Sequence, residues 1–215
     1  MLNLGLPTII SRILTLIIAF TVHEFSHAFV ATAYGDDTAK ENGRLTLNPL
    51  AHLDIMGSIL LIVAGFGWAK PVPINPTVLR QKSRFAMMWV SLAGPLSNFL
   101  LACLAAIPLR LGLVPYAPSG NVFPSLFEFL FDFLVINLLL MVFNLIPLAP
   151  LDGEKVIEAF LPGVVGEWFA IIRPYGPMIL LVLLFALPRV GVDIVGMYMQ
   201  PLIKFFLMLL TGGSL

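Results

Sequence analysis

The chain has 215 residues, of which 59% are hydrophobic and only 11% carry a formal charge. A soluble domain usually carries about 25% charged residues, so this chain has too little charge to cover a surface that faces water. Lys and Arg together number 12, as do Asp and Glu, so no excess positive charge is available to bind a nucleic acid. The composition predicts a multi-pass helical protein of the lipid bilayer and excludes a nucleic-acid-binding protein.

Four segments have the length of about 20 apolar residues that a helix needs to cross a bilayer. They run from Ile13 to Ala33, from Phe85 to Leu109, from Leu126 to Leu148 and from Val190 to Leu210. A fifth segment, Trp168 to Leu187, is interrupted by an arginine, a glycine and two prolines, which predict a broken or mobile helix. The predicted fold class is an all-α polytopic membrane protein with five spanning helices.

The segment from Leu53 to Gly67 is either a sixth span or a re-entrant element. Its 15 residues reach only about 22 Å as a helix, less than the hydrocarbon core of about 30 Å. Six basic residues lie between the first span and Phe85, and the positive-inside rule favours a common cytoplasmic side for them. These residues are Lys40, Arg44, Lys70, Arg80, Lys82 and Arg84. All six lie on the same side of the membrane if the segment from Leu53 to Gly67 does not cross it.

Extended-chain patterns follow the first span. The residues from Arg44 to Leu47 alternate with a period of two, which is typical of a strand, and the prolines between Lys70 and Pro76 exclude a helix there. We predict a short membrane-associated β-hairpin with loops at the cytoplasmic face. Because no linker or repeat divides the chain, we expect a single membrane-embedded domain over residues 1–215. Its core covers about residues 10–160, and accessory helices that gate the site cover about residues 164–212.

The first span contains the pattern H-E-x-x-H at His23, Glu24 and His27. Residues four apart project from the same helix face, so both imidazoles can bind one metal ion while Glu24 serves as a general base. The alternative is a solvated helix face, but a charged residue at the middle of a membrane costs about 2.5–3.5 kcal/mol. The motif therefore predicts a functional metal site, and N/O donors of this kind favour zinc.

A catalytic zinc ion usually has three protein ligands and one open position. Asp152, just beyond the third complete span, is the candidate for the third ligand. Its alternative role is to cap the helix predicted from Glu154 to Phe160. If Leu53 to Gly67 is re-entrant, Asp152 emerges on the same membrane face as His27, whereas a sixth crossing would separate the two. The positive-inside rule and the need for a third ligand favour the same five-crossing topology.

Three further polar residues are candidates for contact with a substrate. Asn98, with other polar residues, can line a water path to the site. The amide of Asn144 can donate to a developing oxyanion or hold an extended substrate, or it can form an interhelical hydrogen bond. His52, with Asp54, can bind substrate or a second metal, or it can be an anchor at the membrane interface.

These motifs resemble the site-2 protease family of intramembrane zinc metalloproteases. The resemblance covers roughly residues 10 to 160, and it pairs the H-E-x-x-H motif with Asn144…Pro147…Pro150-Leu151-Asp152-Gly153 more than a hundred residues later. The stretch from Ala93 to Asn98 is similar to the middle core helix of that family, and Gly43 to Pro49 is similar to a stretch of its small prokaryotic members. We expect a member without the regulatory PDZ domain that many relatives carry.

The resemblance implies hydrolysis of a peptide bond in or beside a transmembrane segment of a protein substrate, as in regulated intramembrane proteolysis. It implies one zinc ion on His23, His27 and Asp152, with Glu24 as the catalytic base. The implied location is the plasma membrane of a prokaryote, with the active site nearer the cytoplasmic face.

Two other functions compete with this one. A catalytically silent zinc-binding membrane protein of the same fold is one alternative. It is disfavoured because His23, Glu24, His27 and Asp152, the four residues that the protease needs, are all present. A metal transporter would need ionisable residues on several helices near the midplane. Cleavage that depends on Glu24, with the metal retained, separates the protease from both alternatives.

Overall fold

The computed structural model describes residues 5–54, 56–57, 68–161 and 163–213. Its main helices are α1 (Leu6–Ala33), α2 (Thr38–Glu41), α3 (Pro76–Lys82), α4 (Ala86–Arg110), α5 (Leu126–Asn144), α6 (Asp152–Glu158), α7 (Val165–Val190) and α8 (Ile194–Thr211). In this described part, five helices are long and apolar enough to cross a membrane: α1, α4, α5, α7 and α8. The prediction of an all-α polytopic membrane protein with five spanning helices is confirmed for these residues.

Local sequence signals set the ends of the helices that carry the site. Pro7 lies in the first turn of α1, where its fixed φ suits a helix and its missing N–H is not needed. Gly35, at φ +87°, takes the left-handed conformation just after α1 and ends it. At the start of α5, the Ser125 hydroxyl accepts a hydrogen bond from the Glu128 N–H at 3.1 Å, which is the first half of a capping box.

α7 is irregular where the sequence predicts an interruption. The α-helix gives way to a 3-10 turn at Arg173–Tyr175 and to a π-helix at Val182–Ala186. Pro174 and Pro177 lack the N–H groups that a regular α-helix would use. The span nevertheless continues from Val165 to Val190, so the prolines change its hydrogen-bond pattern without ending it.

The centre of the bundle lies between α4 and α5. Small side chains of α4, namely Ala102, Ala105 and Ala106, pack against Leu134 and Leu138 of α5, and all five are buried. Small residues allow two helices to approach closely, which is how helices associate in the absence of water. Apolar side chains of α8 pack against the same cluster. The helices α4 and α5 therefore form a well-packed centre that supports the side chains of α1.

The predicted β-hairpin is wrong for the residues that the structure describes. Arg44 to Leu47 is a loop with bends, and the β-pairing among the described residues is one isolated bridge between Leu53 and Ala69. Most of the segment from Leu53 to Gly67 lies outside the described residues, so the choice between a re-entrant element and a sixth span remains a prediction.

The side chain of Arg44 replaces the strand pairing. Its guanidinium, which is buried, donates from Nη2 to the carbonyl oxygens of Lys70 at 2.5 Å and Pro71 at 2.8 Å. A partner strand would have used these carbonyls, and Pro71 and Pro73 have no N–H for a ladder. An alternation of four residues is too short to outweigh these contacts.

Candidate metal centre

α1 and α6 bring three metal-binding side chains together. His23 and His27 lie one turn apart on the same face of α1, and their ring centroids are 4.6 Å apart. Asp152, the first residue of α6, places Oδ2 3.1 Å from His23 Nε2 and 3.3 Å from His27 Nε2. Both imidazoles are buried, and the Asp152 side chain is only 14% exposed. Among the described residues, this is the one group of three or more His, Cys, Asp and Glu side chains that could hold a metal ion.

α4 holds both imidazoles through hydrogen bonds to their Nδ1 atoms. His27 Nδ1 donates to the carbonyl oxygen of Val90 at 2.7 Å, and His23 Nδ1 lies 2.6 Å from Asn98 Oδ1. Val90 and Asn98 are eight positions apart and therefore lie on one face of α4. An Nδ1–H bound to oxygen leaves the lone pair on Nε2, and this is the arrangement usually found behind a metal-ligating histidine.

Gly94 leaves a space next to the Nε2 atoms of the two histidines. It lies midway between Val90 and Asn98 on α4, and a Cβ atom there would be 2.5 Å from Nε2 of both His23 and His27. Any other residue would therefore fill the space that the two nitrogens share. Two imidazole nitrogens and one carboxylate oxygen also match the donors that zinc takes in catalytic sites. The residues fit a zinc ion both in chemistry and in the room that they leave.

The loop before α6 aims Asp152 at the histidines. A Cβ on Gly153 would be 2.4 Å from the carbonyl oxygen of Leu145, so the chain can fold back this tightly only with glycine after the aspartate. Leu151, rather than Asp152, precedes the first turn of α6. The capping role considered for Asp152 is therefore not the one that the structure shows.

The charge of Asp152 is also set by its neighbours. Burial by itself would raise the pKa of Asp152, but charge attraction to His27 and hydrogen bonds with His23 and His27 hold that pKa well below its usual range. The carboxylate is therefore ionised at neutral pH, which is the form that binds a metal ion.

α7 contacts both sides of the loop that carries Asp152. Arg173 donates from Nε to Glu154 Oε1 and from Nη2 to Glu158 Oε2, each at 2.7 Å. On the other side of Asp152, Gly176 approaches Ala149 so closely that a Cβ would be 2.2 Å from its carbonyl oxygen. The helix predicted to be an accessory element thus packs directly against the support of the third ligand.

Glu24 lies next to the cluster and is held by a neighbouring segment. Its Oε2 accepts a hydrogen bond from the Val72 N–H at 3.2 Å. Val72 follows Lys70 and Pro71, the residues whose carbonyls the buried Arg44 binds. Sequence reasoning assigned Arg44 to a hairpin and to the count of basic residues, and it missed this support of Glu24. The position of Arg44 within the family-like stretch from Gly43 to Pro49 was the available signal.

The other three candidate residues are not part of the three-ligand group. Asn98 is fully buried and bonds to His23, so it supports an imidazole rather than lining a water path. Asn144 donates from Nδ2 to the Leu140 carbonyl oxygen of its own helix at 3.0 Å. His52 is fully buried, and its Nε2 lies 2.8 Å from the carbonyl oxygen of Thr46, which suits an anchor for the loop.

Comparison with known proteins identifies relatives of this chain. It is 45% identical over 175 residues to "Putative zinc metalloprotease YwhC" of Bacillus subtilis (strain 168), a match that covers 80% of this chain and 78% of that protein. It is 37% identical over 176 residues to "Putative zinc metalloprotease Rip2" of Mycolicibacterium smegmatis, covering 78% of this chain. Its identity with the protein of the same name from Mycobacterium tuberculosis (strain H37Rv) is 30%, covering 79% of this chain.

These matches span 64% of the length of each of the two Rip2 proteins, somewhat less than two thirds. No protein-family model matches the chain, and no solved structure matches it. The similarity to YwhC extends over more than two thirds of both chains. The chain therefore belongs to the zinc metalloprotease family of YwhC and Rip2, the site-2 protease family that its motifs resemble.

Proposed function

We propose that this protein is an intramembrane zinc metalloprotease that hydrolyses a peptide bond in or near a transmembrane segment of another membrane protein, in regulated intramembrane proteolysis. The observation that carries this proposal is the group of His23, His27 and Asp152 beside Glu24, with the two histidines inside a helix long enough to cross a membrane. The names of the relatives support a zinc metalloprotease.

A zinc ion on His23, His27 and Asp152 would polarise the scissile carbonyl and acidify water beside it. Glu24 accepts a proton from the water that attacks the carbonyl carbon, and it later donates this proton to the departing amine nitrogen. One water molecule is consumed, and the products are a new carboxyl group and a new amine. The Val72 N–H binds one oxygen of Glu24 and so orients the carboxylate for both transfers.

The site lies near one face of the membrane, and we assign this face to the cytoplasm of a prokaryotic cell. His27 is six residues from the end of α1 at Ala33, which corresponds to about 9 Å along a helix. The connection between α1 and α4 at this end carries the six basic residues named above, as the positive-inside rule requires of a cytoplasmic connection. A substrate helix must unwind at this depth, because its carbonyls are otherwise held in i to i−4 hydrogen bonds.

Removal of zinc tests this proposal. The purified protein, in lipid nanodiscs with a transmembrane test substrate, is expected to lose at least about a thousandfold in cleavage rate after treatment with a zinc chelator, because several kcal/mol of transition-state stabilisation are lost. One equivalent of Zn²⁺ per chain should restore the rate. Circular dichroism before and after chelation checks that the helices persist.

Cleavage that continues at the same rate in zinc-free protein would contradict the proposal. If the chain holds one zinc ion and cuts none of several transmembrane substrates, a catalytically silent zinc-binding protein of the same fold becomes the better assignment.

A further inference from the structure

A chain of buried hydrogen bonds runs from α5 through α4 to the imidazole of His23. Asn137 on α5 and Asn98 on α4 have no exposed surface. Asn98 Nδ2 donates to Asn137 Oδ1 at 2.9 Å, and Asn98 Oδ1 lies 2.6 Å from His23 Nδ1. Amide groups are costly to bury inside a helix bundle unless they are paired. The two amides are paired with each other and with His23, on three different helices.

A backbone carbonyl sets the direction of these hydrogen bonds. Asn137 Nδ2 donates to the carbonyl oxygen of Phe133, one turn earlier in α5, at 2.8 Å. Because a carbonyl oxygen only accepts, Asn137 must turn its nitrogen toward Phe133 and its Oδ1 toward Asn98. Asn98 must then turn its own nitrogen toward Asn137 and its Oδ1 toward His23.

This direction determines which nitrogen of His23 carries a proton. Asn98 Oδ1 only accepts, so Nδ1 of His23 carries a proton and Nε2 is the nitrogen available to a metal ion. Nε2 is the atom that lies 3.1 Å from Asp152 Oδ2. We propose that Asn137 is a positioning residue for the metal centre, which acts through Asn98 to hold His23 in the tautomer that binds metal through Nε2. Asn137 has this role only if, as proposed above, a zinc ion binds at the cluster.

The second histidine shows why His23 needs this support. His27 Nδ1 donates directly to the backbone carbonyl of Val90, and a backbone carbonyl cannot exchange its oxygen for a nitrogen. The carboxamide of Asn98 can turn by 180° with almost no change of shape, which would present Nδ2 to His23 and move the imidazole proton to Nε2. The bond to Asn137 blocks that turn, so one residue on α5 decides whether both imidazoles present a lone pair.

Replacement of Asn137 by leucine removes the acceptor for Asn98 while keeping the same number of side-chain heavy atoms. We expect the zinc dissociation constant of Asn137→Leu to rise about ten- to a hundredfold, as is usual when a residue that supports a metal ligand is lost. The affinity is measured on the whole chain in detergent, with a coloured chelator competing for Zn²⁺. The chain has only three histidines, so nitrogen-15 spectra of histidine-labelled, zinc-loaded protein also report the protonated nitrogen of each ring.

Two variants separate the role of Asn137 from a loss of stability. Asn137→Asp should keep zinc affinity near that of wild type, because a carboxyl group buried among apolar side chains stays neutral and can donate to Phe133 while accepting from Asn98. Leu138→Ala removes a fully buried side chain from the same helix, so it should lower the melting temperature and leave zinc affinity unchanged.

In wild type we expect one state of His23, with the proton on Nδ1, and in Asn137→Leu a mixture of two states. Unchanged zinc affinity and an unchanged His23 spectrum in Asn137→Leu would overturn the assignment of Asn137 while leaving the metal centre and the protease proposal intact. An equal loss of affinity in Leu138→Ala would also overturn it, since destabilisation would then explain both. If wild type itself binds no zinc, the proposed function fails and the role of Asn137 fails with it.

Discussion

Glu24→Gln should lower the rate of cleavage by about 10²–10⁴-fold, the range in which general acid–base catalysis contributes, and should leave the zinc content unchanged. Glutamine has the shape of glutamate, and its amide oxygen can still accept the Val72 N–H that Glu24 accepts at 3.2 Å. It cannot take a proton from water at neutral pH. Because Glu24 is not one of the three grouped ligands, its charge is not needed to hold the metal.

The measurement is the initial rate of cleavage of a transmembrane substrate by wild type and Glu24→Gln, with zinc per chain determined by mass spectrometry. Glu41→Gln is the matched control, because Glu41 is an exposed residue of α2 and the chemical change is the same. The control should cut at the wild-type rate. A Glu24→Gln protein that retains wild-type cleavage would show that Glu24 is not the general base. One that loses its zinc would show that the charge of Glu24 is needed to hold the metal.

Gly94→Ala should remove zinc binding and cleavage together while the helices stay folded. The added Cβ would lie 2.5 Å from Nε2 of both His23 and His27, which is closer than a Cβ atom approaches a nitrogen to which it is not bonded. The imidazoles cannot easily move away, because Val90 and Asn98 hold their Nδ1 atoms. We expect zinc affinity to fall by more than the roughly 100-fold that follows from loss of a ligand's supporting residue.

Alanine favours a helix by about 1 kcal/mol over glycine, so a loss of zinc in Gly94→Ala could not be attributed to a weaker helix. Gly166→Ala is the control, since Gly166 also lies in a helix and a Cβ there meets nothing within 4 Å. Zinc titration and melting temperature are measured for both variants. If Gly94→Ala binds zinc as tightly as wild type, the metal does not lie between α4 and the two histidines.

The spanning helices and the three-residue metal group could be predicted from the sequence for physical reasons. Long apolar runs have few structural options in a bilayer, and ionisable residues inside such a run, like His23 and Glu24, need a function to offset their cost. Asp152 could be paired with the histidines because the predicted topology, with three crossings from Ile13 to Leu148, places it on the same face as His27. The structure brings these side chains within hydrogen-bonding distance.

The residues that support the site could not be predicted in the same way. The importance of Gly94 depends on how closely α1 approaches α4, which no local pattern encodes. Asn98 and Asn137 stand out as polar residues in apolar helices, but their partners depend on the packing of three helices. Arg44 was misassigned because four alternating residues indicate a strand only weakly, whereas its buried side chain binds two carbonyls 26 and 27 residues later.

The most direct test of intramembrane hydrolysis is to let the protein cleave a transmembrane substrate in water labelled with oxygen-18. Mass spectrometry then identifies the products and the position of the label. With zinc-loaded wild type, we expect two fragments whose junction lies in or beside the apolar span of the substrate, with oxygen-18 in the new carboxyl group. The Glu24→Gln protein should form the same two fragments about 10²–10⁴-fold more slowly. Fragments that end only in the soluble tails of the substrate, or no fragments from wild type with a full complement of zinc, would contradict intramembrane hydrolysis at His23, His27 and Asp152.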